Sequence, residues 1–205
     1  MRSILGVLLL SLLLTFSAFA GTDTFLTASA IKKRLYVGAK SYVFTEAVYR
    51  PPVFVKLPVK RQDHPTTSPE QVLLAYLSSL VTHDTAWCLA VSERKEQERA
   101  RLNQKAFDKD MKEAIEQADS LLKGNRVSFI KKETVGSKHL IIVIDVRDPG
   151  GDLIMTMPFA LVQEDGQWRD CSTCNSSQDA PLYDLLLNFN FNFDFKGTES
   201  HVPKL

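Results

Sequence analysis

Histidine and cysteine are scarce in this chain, and neither forms a pattern that binds a metal. The 205 residues include four histidines, which are scattered, and three cysteines. Zinc sites need ligands at fixed spacings, such as two CxxC pairs or HExxH, and neither pattern occurs. The fingerprints of serine hydrolases, P-loop proteins and dinucleotide-binding proteins are also missing. The sequence therefore predicts no metal and no cofactor, and because no motif places a catalytic residue, an enzymatic function is not favoured.

A strong excess of one charge is missing as well. The formal net charge is +1, which argues against nucleic acid as the main partner. The charge is nevertheless uneven along the chain. Residues 31–61 hold one acid, Glu46, and eight basic residues, which are Lys32, Lys33, Arg34, Lys40, Arg50, Lys56, Lys60 and Arg61. This basic segment can pack on the more acidic remainder of the chain or stay solvated, or it can bind an anionic partner such as lipid or lipopolysaccharide.

Long hydrophobic runs are absent after the first twenty residues. Residues 1–20 combine the basic Arg2, an apolar run over 4–16 and the sequence Ala18-Phe19-Ala20, and this combination is typical of a secretory signal peptide. The apolar run is too short to cross a bilayer core of about 30 Å. We therefore expect cleavage before Gly21, no transmembrane anchor afterwards, and a periplasmic or secreted protein.

The three cysteines are Cys88, Cys171 and Cys174. In an oxidising compartment, either Cys171 and Cys174 form a disulfide and Cys88 is buried, or Cys88 pairs with one of the other two. A reactive CxxC usually opens a helix, whereas this pair follows a predicted strand. Asp170 beside Cys171 also opposes thiolate formation. The pattern favours a structural pair over a thiol–disulfide catalyst.

Residues 21–67 are predicted to be an extended basic arm and a linker. Residues 35–59 are rich in β-branched and aromatic side chains, which favours extended structure. Pro51, Pro52 and Pro58 interrupt that stretch, and a proline cannot donate a hydrogen bond to a sheet. We expect short edge strands or an extended arm that lies over the main body.

Three helices are predicted between residues 68 and 124. Ser68-Pro69-Glu70-Gln71 has the residues of a capping box with proline at the first helical position. Asp84 can cap a short second helix that carries Trp87. A long third helix is expected between Ser92 and Gly124. Its apolar stripe consists of Leu102, Ala106, Phe107, Met111, Ala114, Ile115, Ala118, Leu121 and Leu122.

The period of the apolar residues changes after Arg126. Four strand-like runs follow, over 127–132, 139–147 and 153–163 and from Trp168 onward, with turn residues between them. They predict an antiparallel meander. In the C-terminal extension, residues 175–205, four phenylalanines alternate with polar residues over 189–195. This alternation predicts a Phe-rich strand, whose apolar face must be covered by the arm, by the body or by a second subunit in a homodimer.

Two segments resemble the NTF2-like, or cystatin-like cone, superfamily. Residues 68–77, SPEQVLLAYL, with His83 and Asp84 after them, resemble its opening helix, and residues 159–168, FALVQEDGQW, resemble the hairpin of its late strands. The resemblance implies an α+β domain over residues 68–174, with N-terminal helices packed on a curved antiparallel sheet around a conical pocket. Members include isomerases, dehydratases and cyclases, and also binding or accessory domains without catalytic activity.

Five residues are candidates for lining such a pocket: Tyr76, Trp87, Phe107, His139 and Asp145. His139 and Asp145 are six positions apart on one predicted strand, so both can face the same side. No motif places an acid or a histidine inside the cone. The first hypothesis is therefore an exported, non-catalytic binding or accessory protein with an unknown protein or envelope partner. The alternatives are a cone-pocket enzyme acting on a small apolar ligand and a thiol–disulfide protein that uses Cys171 and Cys174.

Overall fold

The computed structural model describes residues 25, 27–37, 39–61 and 67–175. The predicted signal peptide, residues 1–20, and the predicted Phe-rich strand of the C-terminal extension lie outside the described residues. The described chain has an α+β architecture of four α-helices and one antiparallel sheet of six strands. No helix among these residues is both long and apolar enough to cross a membrane.

The first two helices begin where their capping residues predict. Helix α1 spans Pro69–Val81, and the Ser68 hydroxyl accepts a hydrogen bond from the backbone N–H of Gln71 at 3.2 Å. Helix α2 spans Thr85–Val91, and the Asp84 carboxylate accepts one from the backbone N–H of Trp87 at 2.8 Å. Each cap satisfies a backbone donor that has no partner within the helix. Both predicted helix starts are confirmed.

The single long third helix predicted from the apolar stripe is wrong. The chain instead forms α3, Arg94–Leu102, and α4, Gln104–Leu121. They are separated by Asn103, whose backbone has φ −141° and ψ 68° and whose side chain accepts a hydrogen bond from the N–H of Ala106 at 3.2 Å. Asn103 thereby ends one helix and caps the next. Leu102, the first residue of the predicted stripe, is 72% exposed as a result.

The sheet is an open antiparallel meander in which sequence neighbours are also spatial neighbours. Its strands are β1 Ile31–Val37, β2 Lys40–Lys56, β3 Arg126–Val135, β4 His139–Arg147, β5 Leu153–Glu164 and β6 Gln167–Asp170. All four helices lie in the chain between β2 and β3, and each adjacent pair of strands is antiparallel. The meander predicted after Arg126 is confirmed.

The segment predicted to be an arm contributes two strands to this sheet. β1 is an edge strand, whereas β2 is 17 residues long and pairs with both β1 and β3, so it is not the short strand that we expected. Pro51 and Pro52 fall where the register between β2 and β3 shifts, between Val48 and Val53. Because the ladder is already interrupted there, neither proline removes a ladder hydrogen bond.

The helices pack on one face of the sheet, and this side holds the main core. Strand residues Phe129, Leu140, Ile142 and Ile144 cluster there with residues of all four helices. Burying a side chain of this size stabilises the fold by about 2 kcal/mol. The alternate strand residues point to the opposite side, which we call the outer face. A second cluster lies there, made of Ile141, Val143, Ala160, Cys171 and Cys174. The two cysteines come from the end of β6 and the 3₁₀ helix Ser172–Asn175.

Candidate functional site

Two of the five predicted pocket residues are part of the solid core. Trp87 of α2 is 5% exposed and Phe107 of α4 is 1% exposed, and both pack in the helix-side cluster. Their side chains occupy the space where helices and sheet meet. They therefore act as core residues and do not wall an open cavity.

Tyr76 lies at an apolar slot between α1, α4 and β5. The slot has a volume of about 150 Å³. The Tyr76 ring is 6.3 Å from the ring of Phe159, measured between centroids. The other lining residues are Leu77, Leu80, Ala114, Gln117, Ala118, Leu121, Leu122 and Met157. None of these side chains carries a carboxylate or an imidazole, so the slot has apolar walls and no general acid or base of those types.

His139 and Asp145 lie on β4 and alternate with its core-facing residues. They share the outer face with Ile141 and Val143, away from the slot. Asp145 is buried, and its carboxylate accepts hydrogen bonds from Thr156 at 2.7 Å and from Arg147 at 2.8 Å. His139 pairs with Val162 at the beginning of the strand. The structure therefore does not bring the five candidates together.

A buried acidic cluster lies between the helices and β6, and no sequence pattern predicted it. Asp170 at the end of β6 lies beside Glu93 and Glu96 at the start of α3, and the Glu93 N–H donates to the Asp170 carbonyl at 2.9 Å. Burial raises the pKa of the Asp170 carboxyl to about 8, and the charges of Glu93 and Glu96 add to the shift. The only sequence signal was an acid at a predicted helix start and another before Cys171.

The Arg99 guanidinium and the Tyr76 phenol interact with this acidic cluster. Arg99 donates two hydrogen bonds to the Glu96 carboxylate, at 2.8 and 2.7 Å, and one to Asp110 at 2.7 Å. Burial, followed by the charge of Asp170, raises the pKa of Tyr76 well above its usual value. At neutral pH this region thus holds a protonated phenol and a buried carboxyl that retains its proton.

The cysteines adopt the first of the two predicted arrangements. Cys171 and Cys174 form a disulfide, and their residues are 3% and 1% exposed. Cys88 is a buried free thiol whose pKa is raised by burial to about 12. Thiol–disulfide exchange requires a thiolate that reaches an accessible sulfur. Buried sulfurs and an un-ionised thiol fit a structural role.

The hairpin of β1 and β2 exposes both apolar and basic side chains. Lys32, Arg34, Tyr36, Ser41 and Val43 share one side of it, which we call the hairpin face. All five are exposed, with Tyr36 at 70% and Val43 at 39%. The Arg34 guanidinium donates to the Ser41 hydroxyl at 3.5 Å. Two cations and two apolar side chains are thus held on a paired strand scaffold in contact with solvent.

Other basic residues of the segment are engaged within the chain. Lys33, on the opposite side of the hairpin, forms an ion pair with Glu46, and Arg61 forms one with Asp84 at 3.0 Å. Of these two pairs, only Arg61–Asp84 joins the basic segment to the acidic remainder of the chain, as one interpretation of the sequence proposed, because Glu46 belongs to the basic segment itself. The exposed remainder includes the hairpin face.

Metal binding and known relatives provide no further assignment. Within the described ranges, no group of three or more His, Cys, Asp or Glu side chains is arranged to hold a metal ion. Comparison with protein families, with curated proteins and with solved structures finds no match for this chain.

Proposed function

We propose that this protein is an exported, non-catalytic binding or accessory protein of the cell envelope, and that the hairpin face binds its partner. The observation that carries the proposal is the exposure of two apolar side chains beside Lys32 and Arg34: Val43 lies opposite Arg34, and Tyr36 is the next residue of β1 on that side. Exposed aromatic and basic side chains on a fixed scaffold are typical of binding surfaces. Lys32 and Arg34 favour an acidic partner. The side chains of Tyr36 and Val43 would be buried when the partner binds, which stabilises the complex.

The position of β1 favours a protein partner over a lipid surface. Among the described strands, β1 is the terminal one and is hydrogen-bonded to β2 on one side. A terminal strand presents backbone donors and acceptors on its other edge, and an extended peptide can add there as a further strand. The partner that fits is an extended segment with acidic side chains spaced to meet Lys32 and Arg34.

We further propose that the domain is NTF2-like. Helices on one side of an antiparallel meander fit that assignment. So do the register shifts in the β2–β3, β3–β4 and β4–β5 pairs, because bulges bend strands and make a sheet curve around what packs on it. The slot of about 150 Å³ is smaller than the roughly 300 Å³ at which ligand pockets begin. Its small volume and its lack of a carboxylate or an imidazole weigh against a cone-pocket enzyme and for a binding or accessory member of the superfamily.

The test uses full-length protein and two matched charge-reversal variants. The first carries Lys32→Glu and Arg34→Glu on the hairpin face. The control carries Lys105→Glu and Lys109→Glu on exposed positions of α4. Each immobilised protein is incubated with envelope extract from the source cells, and the captured proteins are quantified. We expect one partner to be retained by the unchanged protein and by the control, and to be lost with the hairpin variant.

Two further measurements complete the test: capture of the partner at high salt, and co-sedimentation of the protein with lipid vesicles. Because charges attract across a screening length of about 8 Å at 0.15 M salt and 3 Å at 1 M, capture should weaken at high salt. Vesicles of phosphatidylglycerol should not co-sediment with the protein. Capture that survives in the hairpin variant would place the partner surface elsewhere, and co-sedimentation that is lost in that variant would replace the protein partner with anionic lipid.

A further inference from the structure

The outer face of the sheet is buried although the helices lie on the other side. Along one row across the sheet, Glu133 of β3 is 1% exposed, Ile141 of β4 is 0% exposed and Ala160 of β5 is 6% exposed. Val143, the next outward residue of β4, is 6% exposed. A sheet face without a covering layer is solvated, so atoms outside the sheet must cover these four side chains.

The described part of the chain supplies only a small part of the apolar cover, and the Lys131 side chain contacts Glu133 at the edge of this face. Apart from strand residues, the outer cluster contains only Cys171 and Cys174, which belong to the turn after β6. Measured across the sheet, Glu133 of β3 lies three strand spacings from that turn, which corresponds to about 14 Å at a spacing near 4.8 Å. A 3₁₀ helix of the length of Ser172–Asn175 extends about 8 Å. The turn cannot reach Glu133.

We propose that the chain's own C-terminal segment, residues 181–195, lies across the outer face and covers it. The described chain ends at Asn175, directly after Cys174, which itself packs on this face. Five residues lie between Asn175 and Pro181, and the six Cα-to-Cα steps from one to the other can span about 20 Å, which is more than the roughly 14 Å that the cover requires. The proposed segment therefore begins at the correct place and reaches far enough.

The composition of the segment matches the surface that it would cover. Residues 181–195 contain Leu182, Tyr183, Leu185, Leu186, Leu187, Phe189, Phe191, Phe193 and Phe195. A segment with so many apolar side chains needs an apolar surface to pack against. The outer cluster offers one, with Phe44, Val135 and Val162 half-buried around its border. The Oε1 atom of Glu133 accepts a hydrogen bond from the Lys131 ammonium at 2.7 Å, whereas its Oε2 atom has no partner among the described residues, which fits a cover that brings no donor to that atom.

The short connection favours this segment over a second copy of the protein. A tether of a few residues keeps the segment at an effective concentration of about 1 mM near the face. A second copy would have to compete at the much lower concentration of the free protein. The cover is therefore intramolecular, and the Cys171–Cys174 disulfide fixes the turn from which it departs.

Thiol labelling tests whether the segment shields the face. The substitution Val143→Cys places a thiol under the proposed cover, and Val43→Cys places one on the exposed hairpin face as a matched control. Both variants are labelled with a bulky maleimide as the full-length chain and as a chain that ends at Asn175. We expect the thiol at position 143 to react at least about tenfold faster in the shortened chain, because labelling of a covered thiol requires local opening. The thiol at position 43 should react rapidly in both.

The buried Cys88 reports whether the shortened chain keeps its fold, because it reacts only if the core opens. If Cys88 becomes reactive on shortening, the full-length chain with Leu186→Asp and Phe191→Asp provides the second test. There the thiol at position 143 should become reactive while Cys88 stays protected. Rapid labelling of position 143 in the unaltered full-length chain would overturn the proposal. So would labelling that is slow at high protein concentration and fast on dilution, because it would assign the cover to a second copy.

Discussion

Buried carboxylates occur in this protein in three different surroundings. Glu70 on α1 accepts hydrogen bonds from the Tyr49 hydroxyl at 2.7 Å and from the Lys132 ammonium at 2.9 Å. Glu96 is held by two hydrogen bonds from Arg99. Asp170 instead faces Glu93 and Glu96, and its pKa is raised to about 8. Glu70 and Glu96 are thus each held by a cation, whereas Asp170 is surrounded by acids, and the consequences of substitution differ accordingly.

Asp170 should make the protein less stable as the pH rises. The pKa of its carboxyl is 3.8 for an unperturbed group and about 8 in the folded protein. Between these values the folded state holds a proton that the unfolded state has lost, so the free energy of unfolding falls by up to about 1.4 kcal/mol per pH unit. The substitution Asp170→Asn should remove this slope and make the variant more stable than the unchanged protein at pH 8.

Urea unfolding at pH 5, 6.5 and 8 measures the effect. Glu116→Gln, at an exposed position of α4, is the control and should leave the pH dependence unchanged. The difference in unfolding free energy between Asp170→Asn and the unchanged protein should grow with pH. Parallel curves for the two proteins would show that Asp170 is not the group that titrates.

The Glu70 network should respond differently, because its charges compensate each other. Glu70→Ala leaves the Tyr49 hydroxyl and the Lys132 ammonium without their shared acceptor, and we expect a loss of about 2–3 kcal/mol in the free energy of unfolding. Lys132→Met alone should also destabilise. The double variant should lose less than the sum of the two single losses, because the unpaired cation is then absent. Strict additivity in the double-mutant cycle, measured by urea unfolding, would contradict this coupling.

At the scale of elements, short polar side chains determine where three of the helices begin. Ser68, Asp84 and Asn103 each accept a hydrogen bond from the backbone N–H three residues later. The first two were predictable, because each stands before an apolar periodic run. Asn103 was not, because it lies inside a stripe of apolar residues that continues past it. Periodicity reports which residues can share a face, and it does not show whether the backbone between them is continuous.

Asn103→Ala should weaken the boundary between α3 and α4. Loss of the cap should lower the free energy of unfolding by about 1 kcal/mol. Lys105 is exposed in the first turn of α4 and is not the capping residue. Lys105→Ala should therefore change the free energy of unfolding by less than about 0.5 kcal/mol, as is usual for surface positions. Urea denaturation followed at 222 nm measures both. An increase in stability for Asn103→Ala would mean that the two helices prefer to be continuous and that the break is imposed from outside.

At the scale of the whole molecule, local patterns were predictable and pairings between distant segments were not. The α+β class, the helix starts and the strand run after Arg126 follow from residues close together in the sequence. The pairing of β2 with β3 joins segments separated by all four helices, and the prolines of β2 argued against it. The acidic cluster likewise joins Glu93 to Asp170, which no spacing rule connects. The slot beside Tyr76 also joins distant segments, and Tyr76 is the one lining residue that the sequence predicted.

The contribution of β2 to the sheet predicts where the folding unit begins. β2 pairs with β3 at eight positions and places Tyr49 and Val55 in the core, whereas β1 pairs only with β2 among the described strands and has exposed side chains. A chain lacking residues 21–38 should still unfold cooperatively, with a loss of about 3 kcal/mol because Phe25 no longer packs on Tyr49 and Phe129. A chain lacking 21–61 should show no cooperative transition, because β3 loses the strand that pairs with it and the core loses Tyr49 and Val55. Near-UV circular dichroism during urea titration distinguishes the two chains, and a cooperative transition in the shorter one would show that residues 21–61 are an arm on a domain that folds without them.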